Sequence, residues 1–189
     1  MLFSYIFDFD GVIAKTMEQH YKCYKQALGE MGVPIIKEQF YSQAGMTAIE
    51  QIKYFCDLAV VETDYKAIYD RKRELFKDHI ARAEPIPCNI ELIETLRKNG
   101  CKVAIASGSS SKSIMPVMEI FKLDVEVIVT SEDVKRGKPN PDLFLAAAEK
   151  LNARPELCVV IEDSDAGIEA ARNAGMLAMR FYDFNSNHD

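Results

Sequence analysis

Two carboxylates two residues apart, Asp8 and Asp10, follow the short apolar run Phe3-Ser-Tyr-Ile-Phe7 and precede Gly11. The run is rich in residues that favour strands and reads as a buried strand. At the carboxyl end of a strand, residues i and i+2 share a face, so both acids can address one site. Gly11 lets the chain turn sharply behind them. Two carboxylates that close repel unless a cation or a proton lies between them. The pair therefore implies either a divalent metal, Mg²⁺ in the first instance, or acid/base work. The plain alternative is a surface turn with two solvated acids.

Three later stretches carry matching chemistry. Ser107-Gly-Ser-Ser-Ser111 follows an apolar run and opens a helical pattern, so the Ser107 hydroxyl and the N–H groups of Gly108 and Ser109 form an anion cradle at a helix start. An N-cap hydroxyl is the alternative for Ser107. Lys138 precedes Pro139-Asn-Pro141, which stiffens its loop; without that context it reads as a solvated loop lysine. Glu162-Asp163 ends another apolar run and also suits an acidic helix N-terminus. A phosphate ester is the substrate that uses all of these groups. Asp8 is the candidate nucleophile, giving an aspartyl-phosphate. Asp10 is the candidate acid/base, protonating the leaving alkoxide and then taking a proton from water. Lys138 neutralises charge between Asp8 and the phosphoryl group. Asp8, the backbone carbonyl of Asp10, Asp163 and, directly or through water, Glu162 form the oxygen shell for Mg²⁺.

Stepping outward from the acids, the chain supplies elements to position them. Met17, Tyr21, Tyr24, Leu28 and Met31 recur at helical spacing, closed by Gly32 and Pro34. Ile49, Ile52 and Phe55 make a further stripe. The pairs Arg71-Lys72 and Leu75-Phe76 mark another helix with its charges on the outer face. Residues 15–82 show no strand alternation and read as an all-helical insert. Beyond the proline-punctuated return at 83–87, strands at 102–107, 125–130, 157–161 and 176–181 alternate with helices at 89–98, 111–121, 142–151 and 166–173. That alternation means βαβ units and a parallel sheet with helices on both faces. The interesting polar residues fall just past strand ends, where loops converge on one crevice. The tail from Tyr182 is polar and reads as loose.

The 189 residues, 48% hydrophobic, allow one sizeable core or a core with a smaller module. A net charge of −6 and a pI of about 5.2 argue against nucleic acid as partner. Five scattered cysteines without a C-x-x-C pair fit reduced thiols and a cytoplasmic location. No apolar run reaches membrane-spanning length, and Asp8 interrupts the first run before it resembles a signal peptide.

Taken together, these stretches resemble the haloacid dehalogenase superfamily, specifically its β-phosphoglucomutase-like and phosphoglycolate-phosphatase-like branch. Asp8-Phe-Asp10-Gly11-Val12 resembles the first motif, Ala106-Ser107-Gly108 the second, Lys138-Pro139 the third, and Val160-Ile-Glu162-Asp163-Ser164 with Ala166-Gly167-Ile168 the fourth. The resemblance spans about residues 3–181. It implies a Rossmann-like three-layer core with strand order 3-2-1-4-5, formed by residues 1–14 and 83–189. It further implies a helical cap over 15–82, Mg²⁺ dependence and an aspartyl-phosphate. Thr16 and His20 match hinge residues of β-phosphoglucomutases, and Lys72 matches a cap lysine. Other positions depart: Ala48 stands where those mutases carry an arginine for the distal phosphate, and Lys15 where the branch usually has Asp.

The leading expectation is a Mg²⁺-dependent phosphatase for a small phosphorylated metabolite, monomeric or weakly dimeric. Two other readings stay open: a β-phosphoglucomutase-like sugar phosphomutase, and a non-catalytic phosphate-ester-binding protein on the same fold.

Overall fold

The computed structural model describes residues 3–183. Five parallel strands form one sheet: β1 (Ser4–Phe7), β4 (Val103–Ala106), β5 (Val127–Val129), β6 (Cys158–Glu162) and β7 (Leu177–Arg180). Their order is β5-β4-β1-β6-β7, the 3-2-1-4-5 arrangement that the resemblance implied. Register aligns Phe7 with Ile105 on one side and Ile161 on the other, so the residues after these three strands emerge together at one edge.

Strand alternation sorts the core into two layers. Ile6, Ala104 and Val160 face α7 (Asp142–Lys150) and α8 (Asp165–Asn173) through Leu143, Phe144, Ala147 and Ala170. Phe7, Ile105 and Ile161 face the other way, packing against Ile93 of α5 (Pro87–Lys98) and against Ile114 and Val117 of α6 (Ser111–Phe121). The central strands are apolar on both faces because helices cover both, as parallel sheets require.

Between β1 and α5 the chain builds four helices: α1 (Met17–Gly29), α2 (Lys37–Ser42), α3 (Ala48–Leu58) and α4 (Tyr65–Ile80). They bury their own cluster of Tyr24, Leu28, Phe40, Ile52, Phe55 and Ile68. Thr47 and Glu50 start α3 with a reciprocal capping box, and Asp64 caps α4 through Lys66 and Ala67 N–H.

The structure corrects several local readings. Helix α1 stops at Gly29, and Met31 lies outside it, 44% exposed, because the chain has already turned through Glu30. Strands β2 (Ala14–Lys15) and β3 (Glu84–Pro85) pair antiparallel where the helical insert leaves and rejoins the core. Two-residue strands have no periodicity to detect, and Pro85 masks the second. Lys72 was placed on the outer face of α4, but it is buried. Of the polar tail, Asp183 is held by Lys15 Nζ at 2.7 Å; residues 184–189 lie outside the described residues.

Candidate active site

The carboxyl ends of β1 and β6 deliver Asp8, Glu162 and Asp163 to one point, with a carboxylate oxygen from each within 4.8 Å of the others. Lys138, from the loop after β5, is 1% exposed and donates from Nζ to Asp8 Oδ1 at 2.5 Å and to Glu162 Oε2 at 2.7 Å. Glu162 has its other oxygen filled by Ser164, from N–H at 3.1 Å and Oγ at 2.5 Å. Ser164 in turn caps α8, its hydroxyl accepting from Gly167 N–H at 3.0 Å. The helix start thus orients Glu162, and Glu162 aims Lys138. Gly11 adopts φ +90°, and a methyl group on it would lie 2.1 Å from Asp163 Oδ2, so the sharp turn and the room for Asp163 both need glycine.

Three acids share one lysine here, and the electrostatics show the imbalance. Burial raises Asp8 well above the usual carboxylate range; the charge of Glu162 adds to this, and Lys138 only partly offsets it. Asp163 is pushed up to about 7, first by burial and then by Glu162. Burial alone would lower Lys138, but Asp8 and Glu162 outweigh it and hold the ammonium charged. A compact set of hard oxygen donors with surplus negative charge fits Mg²⁺.

Asp10 points the other way, toward the helical insert. Thr16 occupies the N-cap position of α1, yet its hydroxyl donates to Asp10 Oδ1 instead of capping the helix. One turn later on the same face, His20 places Nε2 3.1 Å from that oxygen. Ser109 Oγ donates to Asp10 Oδ2 at 2.6 Å, and Ser107 Oγ to the same atom at 3.3 Å. Burial opposes ionisation of Asp10, but His20 and the bonds from His20, Ser109 and Thr16 prevail and hold it well below the usual range. So engaged, the Asp10 carboxylate is not one of the three acids, Asp8, Glu162 and Asp163, whose oxygens cluster.

Ser107 does not cap a helix: α6 begins at Ser111, with Ser110 at the N-cap. Ser107 is fully buried, and its hydroxyl also accepts from Ser109 N–H at 3.0 Å. The cradle is therefore a tight loop ahead of the helix, with Gly108 and Ser109 facing the cavity.

The roof of the cavity comes from the insert: Met17, His20 and Tyr24 of α1, Phe40, residues 44–46, Ala48 and Gln51, and Tyr69 and Lys72 of α4. His20 stacks on Phe76 with centroids 4.1 Å apart and planes 5° from parallel. Burial lowers its pKa, Lys72 adds to this, and Asp10 opposes both. Lys72 lies over the rings of Tyr24 at 4.9 Å and Phe76 at 5.2 Å, and burial brings its ammonium down to about 8. The structure thus brings Asp8, Asp10, Gly108, Glu162, Asp163, His20 and Lys72 to line one cavity, with Thr16 and Ser107 bonded to Asp10 and Lys138 bonded to Asp8 behind it. Lys15, the residue before Thr16, turns to Asp183. The Ser109 side chain and the aromatic roof were not singled out from the sequence. Tyr69, Lys72 and Phe76 do recur at helical spacing, which was the available signal.

Comparison with known proteins agrees with this geometry. The sequence profile of haloacid dehalogenase-like hydrolases matches residues 5–180. The chain is 31% identical over 183 residues to a β-phosphoglucomutase of Bacillus subtilis, covering 92% of this chain and 80% of that protein. It is 30% identical over 179 residues to a fructose-1-phosphate phosphatase of Escherichia coli, covering 92% and 93%. A crystal structure of a hydrolase from Pseudomonas syringae superposes with a TM-score of 0.88 at 30% identity, covering 97% of this chain and 88% of that one.

Proposed function

This chain belongs to the haloacid dehalogenase-like hydrolase family, and from that premise we propose that it is a Mg²⁺-dependent phosphatase acting on a small phosphorylated metabolite such as a sugar phosphate. The observation that carries this reading is the web of Asp8, Lys138, Glu162 and Asp163 at the strand ends, with Asp10 held beside it. Asp8 attacks phosphorus, and the bond to the leaving oxygen breaks, giving an aspartyl-phosphate. Lys138 stays charged and steadies the negative charge passing between Asp8 and the phosphoryl oxygens. Asp8, the Asp10 carbonyl and Asp163 would hold Mg²⁺, with Glu162 beside them; when bound, the ion neutralises phosphoryl oxygens and relieves the crowding of acids.

Asp10 serves both halves of the reaction. Its neighbours keep it ionised, the form that takes a proton from water when the aspartyl-phosphate is hydrolysed. A phosphate dianion docked next to it raises its pKa, so the carboxyl takes up a proton from solvent as substrate binds and passes that proton to the leaving alkoxide in the first half. Gly108 and Ser109 present the anion cradle. Residues 15–82 act as the cap and 1–14 with 83–189 as the core, of which 3–14 and 83–183 are described, the β2–β3 ribbon forming the joint.

A sugar phosphomutase is the second reading, favoured by the contacts of Thr16 and His20 with Asp10. Opposing it, Ala48 lines the cavity where a bisphosphate would need a cation, and Lys15 is occupied elsewhere. One assay separates the readings. Purified protein and Mg²⁺ are incubated with a panel of phosphorylated metabolites, including β-glucose 1-phosphate with a catalytic amount of its 1,6-bisphosphate. Phosphate release supports the phosphatase, faster isomerisation overturns it in favour of the mutase, and neither product would leave a phosphate-ester-binding protein.

A further inference from the structure

Residues 45–50, leading into α3, lie directly on the loop that carries Lys138. A methyl group added at Gly45 would sit 3.0 Å from Ser164 Oγ and 3.1 Å from Lys138 Cδ. One added at Gly137 would sit 2.5 Å from Glu50 Oε2 and 2.6 Å from Thr47 N. Glu50 fastens this seam. Gly137 N–H donates to both of its carboxylate oxygens at 3.2 Å. The same carboxylate accepts from Thr47 N–H at 2.9 Å and from Thr47 Oγ1 at 2.6 Å. A single side chain therefore closes the capping box of α3 and receives the backbone amide one residue before Lys138.

The seam also borders the cavity between insert and core, which Gly45, Ala48 and Ser164 line. That cavity has a volume of about 50 Å³, room for a few waters. Parting the insert from the core breaks this seam, uncovers the Lys138 stem at Gly45 and leaves Gly137 N–H to solvent.

We infer that Glu50 is a positioning residue that latches the insert to the Lys138 loop, so that closure over substrate and placement of a desolvated Lys138 occur together. The consequence for rate rests on the phosphatase reading; the latch itself is measurable without substrate. A helix cap alone would explain the Thr47 bonds but not the bond to Gly137, which belongs to a different part of the chain.

The test pairs hydrogen exchange with kinetics in Glu50→Ala, Glu50→Gln, Gly137→Ala and the double variant Glu50→Ala/Gly137→Ala. Glu50→Ala should speed exchange of the Gly137 amide in the ligand-free protein by ~10-fold or more and lower kcat/KM by a similar factor, as loss of a charge-assisted bond predicts. Glu50→Gln keeps an acceptor and should recover most of both. Gly137→Ala crowds the seam from the core side, its methyl pressing on Glu50 Oε2 and Thr47 N; kcat/KM should fall all the same. The double variant should be no worse than the poorer single one, because both break one contact. Unchanged Gly137 exchange in Glu50→Ala would overturn the latch. So would full kcat/KM in Gly137→Ala, which would reduce Glu50 to a helix cap. If the unmodified protein hydrolyses no phosphate ester, the phosphatase reading fails, while Gly137 exchange still decides the latch.

Discussion

Two buried cations, one on the sheet side of the site and one on the insert side, differ in their surroundings. Lys138, on the sheet side, is gripped by Asp8 and Glu162, and Glu162 is itself braced by Ser164 at the start of α8. Lys72, on the insert side, is 4% exposed and has aromatic rings as neighbours but no ion pair among the described residues. His20 repeats the contrast within one ring: Nε2 meets Asp10, while Nδ1 is buried without a hydrogen-bond partner. Asp8, Lys138, Glu162 and Ser164 on the sheet side hold one another, so their geometry is set before substrate arrives. Lys72 and His20 on the insert side keep unmet capacity, and a buried unpaired cation is costly unless something supplies the missing partner. Under the proposed function, this asymmetry would give the bond-breaking step to the sheet edge and the choice of leaving group to the insert.

The comparison breaks most severely at Asp8. Asp8→Asn keeps the shape and can still accept a bond from Lys138, but it cannot act as the nucleophile. Turnover should fall by at least ~10³-fold with the fold retained. Residual activity within about tenfold, measured as phosphate release, would place the nucleophile elsewhere.

Removal of metal comes next. EDTA should abolish activity and Mg²⁺ restore it, with Ca²⁺ a poor replacement because it prefers longer, looser coordination. The pH dependence has a defined sign. Asp163 is raised to about 7 in the metal-free protein, so below that pH a proton competes with the cation for the carboxylate. Apparent Mg²⁺ affinity, measured by calorimetry, should weaken by up to ~10-fold per unit as pH falls below 7 and level off above it. Affinity that is flat from pH 5.5 to 8 would remove Asp163 from the metal site.

The sheet side was largely legible in the sequence, for a physical reason. A buried parallel strand is a continuous apolar run, and a catalytic acid at its end breaks that run abruptly, as at Phe7-Asp8 and Ile161-Glu162. The strand order came only from the family resemblance, since alternating strands and helices leave several parallel topologies open. On the insert side the sequence was less informative. A lysine in an amphipathic helix looks solvated whichever face it occupies, so Lys72 was assigned to the exterior, whereas Arg71 beside it is the one that reaches Glu30 and Glu74 at the surface. Ser109 was legible only as a backbone donor, since nothing local reveals that its hydroxyl turns to Asp10. The Glu50–Gly137 contact joins residues 87 positions apart and leaves no local pattern.

Lys72→Met sharpens the comparison from the insert side. Methionine keeps the length and the contacts with Tyr24 and Phe76 and removes the charge. If Lys72 awaits an acceptor on the leaving group, kcat/KM should fall by ~10- to 100-fold, mostly through KM. Thermal stability should hold or rise, because a buried unpaired charge has been replaced by an apolar group. Lower stability with unchanged kcat/KM would make Lys72 a structural residue and dissolve the asymmetry.

The smallest effect is expected at Lys15, which tests whether proximity in sequence to the joint is enough to reach the substrate. Lys15 belongs to β2, adjacent to Thr16, and is a natural candidate to replace the cation missing at Ala48. Its ammonium instead lies 2.7 Å from Asp183 Oδ2, and its side chain retains 32% exposure. A partly exposed pair of this kind contributes little to stability, and nothing in its placement brings the charge to the cavity. Lys15→Gln should therefore leave kcat/KM within about twofold of the unmodified protein on every substrate of the panel. It should not alter the ratio of phosphate release to isomerisation, since the charge it removes is already directed at the carboxyl-terminal segment. A selective rise in KM for bisphosphates, with monophosphates unaffected, would show that Lys15 leaves Asp183 when the second phosphate arrives. The insert side would then hold two cations for substrate in place of one, and the mutase reading would gain the contact that Ala48 denies it.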